Sequence, residues 1–187
     1  MASALKGQEQ RYKEAHVQTL FAQGDILMAE KKYLEAFNLY YDGYSYAKKN
    51  LDSCQLAPFT GQLAMIKYWQ LQFRKAIPYF REALNASAYC KKQDDFEYSF
   101  MLPQRWLNTL AMCYQMAGKM DSALLYLREA LVLVHHQKAY AHQNEVVIEA
   151  ALGIVYGNLG DVYQSMGQND SSRYYLSKCI RINDRSG

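Results

Sequence analysis

Proline is nearly missing from this chain: three in 187 residues, alongside only ten glycines. A sequence so poor in turn formers disfavours an all-β protein, whose short strands need frequent tight turns. Cysteine is sparse too. Cys54, Cys90, Cys113 and Cys179 form no C-x-x-C or C-x-C pair, so a zinc site or a thioredoxin-like motif has nothing to stand on. A chain of this length can bury roughly 70% of its surface without covalent staples. The expectation is therefore four small thiols, buried or half-buried, in a reducing, cytoplasmic setting, or a periplasmic one if the chain belongs to a membrane-bound sensor. Charge of one sign is not in excess, since 21 Lys and Arg stand against 18 Asp and Glu. That balance argues for neither nucleic acid nor an anionic membrane surface. No uninterrupted apolar run approaches the roughly 20 residues of a membrane span, so no membrane contact is expected. Met1 to Glu14 lacks the apolar h-region of a secretory signal. P-loop, G-x-G-x-x-G, G-x-S-x-G and kinase signatures are all missing. No catalytic residue, no cofactor and no enzymatic activity are expected.

What the chain does contain is a repeat. Leu107-x-x-Leu110-Ala111-x-x-Tyr114, followed by Ala123-x-x-x-Leu127-x-x-Ala130, returns in three other places. Leu20, Gly24, Leu27, Ala36, Tyr40 and Gly43 form the first copy. Leu63, Ala64, Ala76, Phe80 and Ala83 form the second, and Tyr156, Leu159, Gly160, Tyr163, Ser172, Leu176 and Cys179 the fourth. Three positions in every copy are small, as they must be where two helices approach closely. The frame resembles the tetratricopeptide repeat, W-x2-L-G-x2-Y and then A-x3-F. That resemblance implies an all-α, right-handed superhelix of about four helix-turn-helix units, near 17–50, 57–90, 104–137 and 153–186, within a single domain over 1–187. Each unit has an inner helix A and an outer helix B. The second copy departs most, with Thr60 and Lys67 in places usually bulky and apolar.

The anchoring small residues Ala36, Ala76, Ala123 and Ser172 lie 40, 47 and 49 residues apart, longer than the usual 34. The surplus around 51–56, 91–103 and 138–152 is helix-friendly and is expected to lengthen helices. Such long periods are similar to those of kinesin light chains and of bacterial peptide-responsive regulators. Turns are expected at 29–32, 70–72, 117–119 and 166–168, with Gly118 and Gly167 closing helices and Asp121 and Asn169 capping the next ones. Pro78 is expected near the first turn of a helix B, and Pro103 at the start of a helix A or at a kink in it.

By the same resemblance, the concave wall of the superhelix is lined by the A helices. Its candidate binding residues are Gln18, Phe21, Asp25 and Met28, then Gln62, Met65, Tyr68 and Trp69. Arg105, Asn108, Met112, Gln115 and Met116 follow, then Asn158, Asp161, Gln164 and Ser165. Thioethers and flat rings suit an apolar peptide or helix, and the amides suit an extended peptide's backbone. Repeats that grip a C-terminal carboxylate carry Lys, Asn, Asn, Lys and Arg where Phe21, Asp25, Gln62, Arg105 and Thr109 stand here, so that subtype fails on nearly every position. A nucleic-acid-binding repeat needs a basic wall, and Arg105 alone faces Asp25 and Asp161. The leading expectation is a non-catalytic protein- or peptide-binding scaffold. Its setting would be the sensory or interaction region of a bacterial signalling protein (a histidine kinase or transcriptional regulator), with a stand-alone adaptor in a multiprotein assembly as the alternative.

His135, His136 and His142 read as solvated helix-end residues rather than metal ligands, and Asp94, Asp95 and Glu97 as a solvated acidic knot or a helix cap. At the C-terminus Leu176, Cys179 and Ile180 are expected to face the place of a further helix A. Either the chain is a piece of a longer protein, the favoured reading, or self-association covers that face. Of the 17 tyrosines, most fall in packing slots of the frame, and only Tyr68 is expected to touch a ligand.

Overall fold

The computed structural model describes residues 2–91, 95–140 and 144–186, with side chains placed for 15–91, 95–138 and 144–184. Eight α-helices run through them: α1 (Ala2–Ala29), α2 (Tyr33–Lys49), α3 (Ser53–Trp69), α4 (Phe73–Ala88), α5 (Leu102–Met116), α6 (Met120–Tyr140), α7 (Glu145–Ser165) and α8 (Asn169–Ser186). A π-helical turn, Glu97–Met101, leads directly into α5. No strand occurs among the described residues. Each helix packs mainly on its neighbours in sequence, while α5 also touches the A helices on either side, α3 and α7. This is an α-α solenoid, in which stacking supplies the core that no single pair could bury alone.

One turn links helix A to helix B in all four hairpins, and it recurs between α2 and α3, where the Asp52 amide donates to the Ala47 carbonyl at 3.0 Å and Leu51 has φ 53°. The amides of Lys32, Gln72, Lys119 and Gln168 donate back to the carbonyls of Leu27, Lys67, Tyr114 and Tyr163, at 2.8–2.9 Å. In each case the residue just before has left-handed φ: Lys31 59°, Leu71 56°, Gly118 76° and Gly167 72°. This is the Schellman closure expected at 117–119 and 166–168. The first two turns adopt it without glycine, at a steric cost of about 1 kcal/mol each. Leu71→Gly is therefore expected to stabilise the fold by about 0.5–1 kcal/mol, the relief of strain outweighing glycine's greater freedom in the unfolded chain. A thermal melt showing no rise, or a fall, for this variant would contradict the account of the turn.

The small positions are small for a measurable reason. A Cβ on Gly24 would lie 2.4 Å from the Tyr40 ring, one on Gly43 2.2 Å from Phe59, and one on Gly160 2.6 Å from Leu176. Ala36, Ala64, Ala76, Ala83, Ala111, Ala123 and Ala130 are buried. Around them stand two clusters. One joins Val17, Tyr40, Phe59, Leu63 and Ile66; the other runs from Phe80 through Trp106 and Leu127 to Val155 and Leu159. Thr60, polar in an apolar slot, turns its hydroxyl onto the Leu56 carbonyl at 2.7 Å. Lys67 sets its ammonium 4.2 Å from the centre of the Phe37 ring.

The surplus residues do extend helices. Asp52 caps α3 by accepting from the Gln55 amide at 3.0 Å, so this helix A starts ahead of the repeat frame. Of the second surplus, Glu97–Met101 form the π-turn, and the described residues of the third belong to the end of α6 and the start of α7, while 92–94 and 141–143 lie outside the described residues. Several expectations need correction. Pro78 lies in the second turn of α4, not the first, and α3 holds Pro58 at the same depth. Asp121 and Asn169 sit inside the first turns of α6 and α8 rather than capping them. Leu176 and Cys179 pack toward Gly160 and Gly157 of α7, which leaves Ile180 as the exposed member of that trio. Helix α7 reaches the length and apolarity of a membrane span, with mean hydropathy 1.3 over its best window and half of that window buried. Its Glu149 and Asp161 interrupt the run, and its apolarity serves contacts with α5, α6 and α8.

The thiol expectation fails for two of the four cysteines. Cys54 and Cys90 form a disulfide, with Cα atoms 4.6 Å apart. Cys54 opens helix A of a hairpin and Cys90 follows the end of its helix B, so the antiparallel pair brings the two together. Cys113 is a free buried thiol and Cys179 a free half-buried one. Desolvation pushes the Cys113 thiol up to about 12, so it stays neutral and unreactive at ordinary pH.

Candidate functional site: the concave wall

The A helices α1, α3, α5 and α7 carry the residues expected on the concave wall, and their polar side chains are largely spent on one another. Asp25 of α1 accepts from the Tyr40 hydroxyl at 2.6 Å and from the Gln62 amide of α3 at 2.9 Å. Burial first, then the Asp25 carboxylate, drives the Tyr40 phenol far above its ordinary value. Tyr68 of α3 directs its hydroxyl at the Met112 sulfur of α5, 3.9 Å away. Between α5 and α7, Asn158 donates to the Asn108 side-chain oxygen at 3.0 Å, and Gln115 donates to the Ser165 hydroxyl at 3.0 Å.

This arrangement changes the reading of the amides. Asn108 is only 5% exposed, and its own NH2 is taken by the Gln104 carbonyl at 2.8 Å. Asn108, Gln115 and Asn158 hold neighbouring helices in register instead of offering donors to a peptide backbone. Gln164, Asp161 and Arg105 are exposed on the wall. Thr109, in the last of the carboxylate-gripping positions, is buried with its hydroxyl on the Arg105 carbonyl at 2.9 Å.

The apolar residues divide in a similar way. Phe21 is half-buried, with its ring centre 5.2 Å from that of Phe59 and 5.6 Å from that of Tyr40. Met28 packs against the first cluster, and Met65 and Tyr68 against the second. Met112 is half-buried. Trp69 and Met116 stay 54% and 63% exposed, large apolar surfaces on a wall that is otherwise engaged. Tyr68 braces Trp69 edge-on, the ring centres 5.2 Å apart.

Sequence reasoning missed a cleft of about 330 Å³ at the α1–α3 end of this wall. Gln18, Phe21 and Asp25 line it, as do Val17, Ala22, Gln55, Pro58, Phe59 and Tyr98. Gln55 and Pro58 belong to the lengthened start of α3 and Tyr98 to the π-turn. The residues left over by the repeat frame were the available signal. Gln55 holds its Oε1 buried and without a hydrogen-bond partner.

Elsewhere, His135 and His136 are exposed on α6, while His142 and Asp94 lie outside the described residues. Asp95 accepts from the Glu97 amide at 2.9 Å and caps the π-turn. Among the described residues no three His, Cys, Asp or Glu side chains gather as metal ligands.

A sequence model of the tetratricopeptide repeat matches residues 154–185, the span of most of α7 and α8. In structure the chain is similar to BtubC (BKLC) from P. vanneervenii, at 20% identity and a TM-score of 0.75 over 90% of this chain. It also resembles the nearly identical TPR-like repeats of a protein described as a kinesin light chain of Podosopora anserina. There the identity is 12% and the TM-score 0.54, over 91% of this chain and 96% of that one. Residues 154–185 thus match a tetratricopeptide repeat, and the chain as a whole shares the fold of these repeat solenoids. It spans 63% of the length of BtubC, and no curated protein matches it in sequence. Tetratricopeptide repeats generally serve as protein-interaction scaffolds.

Proposed function

We propose that this tetratricopeptide-repeat chain is a non-catalytic scaffold that holds an apolar segment of a partner peptide against its concave wall. The observation that carries the reading is Trp69, which stays 54% exposed on an A helix although its ring is braced by Tyr68. Exposed, rigid aromatic surface of this sort is what anchors a partner at low entropic cost. Met112 and Met116 lie on the neighbouring A helix, and thioethers adapt to varied apolar shapes. The cleft beside Phe21 supplies a second anchor point at the other end of the wall, with the Asp25 carboxylate at hand. The wall's charge, Arg105 beside Asp25 and Asp161, favours an uncharged segment over nucleic acid.

Peptides selected on the immobilised protein from a random twelve-residue library are expected to be rich in aromatic and aliphatic residues. Trp69→Ala with Met112→Ala should weaken the selected peptides at least tenfold while helical circular dichroism stays unchanged. Undiminished binding by that folded double variant would remove the wall from the account.

The setting is part of the same proposal. The long repeat period supports the interaction region of a signalling protein, with a stand-alone adaptor as the second reading. The Cys54–Cys90 disulfide supports an oxidising compartment over the cytoplasm, because such bonds persist where thiols are not kept reduced. Ile180 and Tyr174, exposed on α8, are the residues through which a second copy would stack.

A further inference from the structure

A second cleft, of about 470 Å³, lies away from the concave wall, where α4 meets the α5–α6 turn. Its lining is Arg74, Ile77 and Arg81 from α4, Tyr114 from α5, and Ala117 and Lys119 from the turn. Residues 74, 77 and 81 are three and seven apart, so they share one face of the helix. Lys119 is delivered to the same cleft by the left-handed Gly118 and by its own amide bond to the Tyr114 carbonyl.

Three cations thus border one depression, and no carboxylate lines it. None of the three forms an ion pair among the described residues. Glu82, next to Arg81 in sequence, is taken up by Lys48 at 3.1 Å and by the Tyr44 hydroxyl at 3.2 Å. The floor is apolar: Ile77, Ala117 and the Tyr114 ring, which stacks on Tyr126 with centres 5.3 Å apart and planes 9° from parallel. Arg81 is close enough to Tyr126 to oppose the rise that burial gives that phenol.

Three cations around a cleft with no carboxylate in its lining favour an anion, although Glu129 also acts on Tyr126 beside it, and two guanidinium forks suit oxyanions that accept paired hydrogen bonds. A bare phosphate would fill little of the volume and leave the apolar floor unused. A dianionic group on a flat apolar body uses both parts. We propose that this cleft binds a phosphorylated tyrosine side chain of a partner peptide, with the phosphoryl group among Arg74, Arg81 and Lys119 and the ring on Ile77, Ala117 and Tyr114. The site is separate from the concave wall and stands whether or not the wall binds a peptide.

The test is calorimetric titration of the full chain with capped phosphotyrosine amide. Inorganic phosphate, capped tyrosine amide and vesicles of phosphatidylserine in phosphatidylcholine serve as competing probes. Phosphotyrosine amide is expected to bind at least tenfold more tightly than either inorganic phosphate or the unphosphorylated amide. Arg74→Gln with Arg81→Gln, both at exposed positions, should cost at least tenfold with the helical spectrum unchanged. Trp69→Ala with Met112→Ala should leave this binding as it is. Three results would each overturn the assignment: equal affinity for inorganic phosphate, which means an adventitious ion only; unchanged binding by the arginine variant; or capture by the acidic vesicles through these arginines without phosphotyrosine binding.

Discussion

Replacing Cys54 and Cys90 together by alanine is expected to lower the melting temperature by about 10 °C. The bond closes a loop across a sequence separation of 36 residues. Loop-closure entropy puts its worth at about 3–4 kcal/mol, and in a chain of this size each kcal/mol moves the midpoint by about 2–4 °C. Adding reductant to the native protein should produce a similar fall, and the double variant should then be insensitive to reductant. Equal melting curves with and without reductant, together with two further thiols titrating in the unfolded chain, would show that the bond does not form.

Gly43→Val is expected to have an effect of similar size. The first side-chain atom added at this position would stand 2.2 Å from the edge of the buried Phe59 ring, well inside contact distance. Neither α2 nor α3 can retreat cheaply, because Ala36, Tyr40 and Leu63 are fully buried around the same junction. Overpacking of this severity costs about 3 kcal/mol, again about 10 °C of melting temperature. Gly118→Ala offers the contrast. Nothing lies within 4 Å of its added Cβ, and only the φ of 76° is at stake, worth about 1 kcal/mol. Thermal melts in which Gly118→Ala proves the more damaging would place the tight junction elsewhere.

The repeat frame made the fold legible because its constraint is steric and periodic. Gly24, Gly43 and Gly160 meet ring or methyl atoms directly across the interface, so their smallness is written into the sequence at a fixed spacing. The four closing turns were legible for the same reason, though glycine marks only two of them. Lys31 and Leu71 adopt the same backbone under tertiary pressure, which no local preference announces. The disulfide escaped because a chain of this length needs no covalent staple, and linear spacing between cysteines is silent on their position about a turn. Cys54 and Cys90 stand at roughly equal distances from Leu71, which is how the two open ends of an antiparallel hairpin are numbered.

The site was less legible than the fold. The repeat frame puts Phe21, Asp25, Trp69 and Met112 on A helices, where the structure has them, but the frame says nothing about which A-helix residues spend their polar atoms on each other. Asn108 and Asn158 look like peptide-gripping amides in one dimension and prove to be each other's partners in three. The cleft beside Phe21 depends on Gln55, Pro58 and Tyr98, which come from insertions outside the repeat. The cationic cleft at Arg74 and Arg81 depends on a turn from the following repeat, a junction no single copy contains.

The placement of the disulfide has a mechanical side. It closes one helix hairpin on itself, and no disulfide among the described residues ties one hairpin to the next. Pulled from its two ends, the oxidised chain can part hairpin from hairpin but cannot pay out the length between Cys54 and Cys90. At about 3.4 Å per residue, that withholds roughly 120 Å of extension until the bond is reduced. The same solenoid is therefore a longer tether in one redox state than in the other.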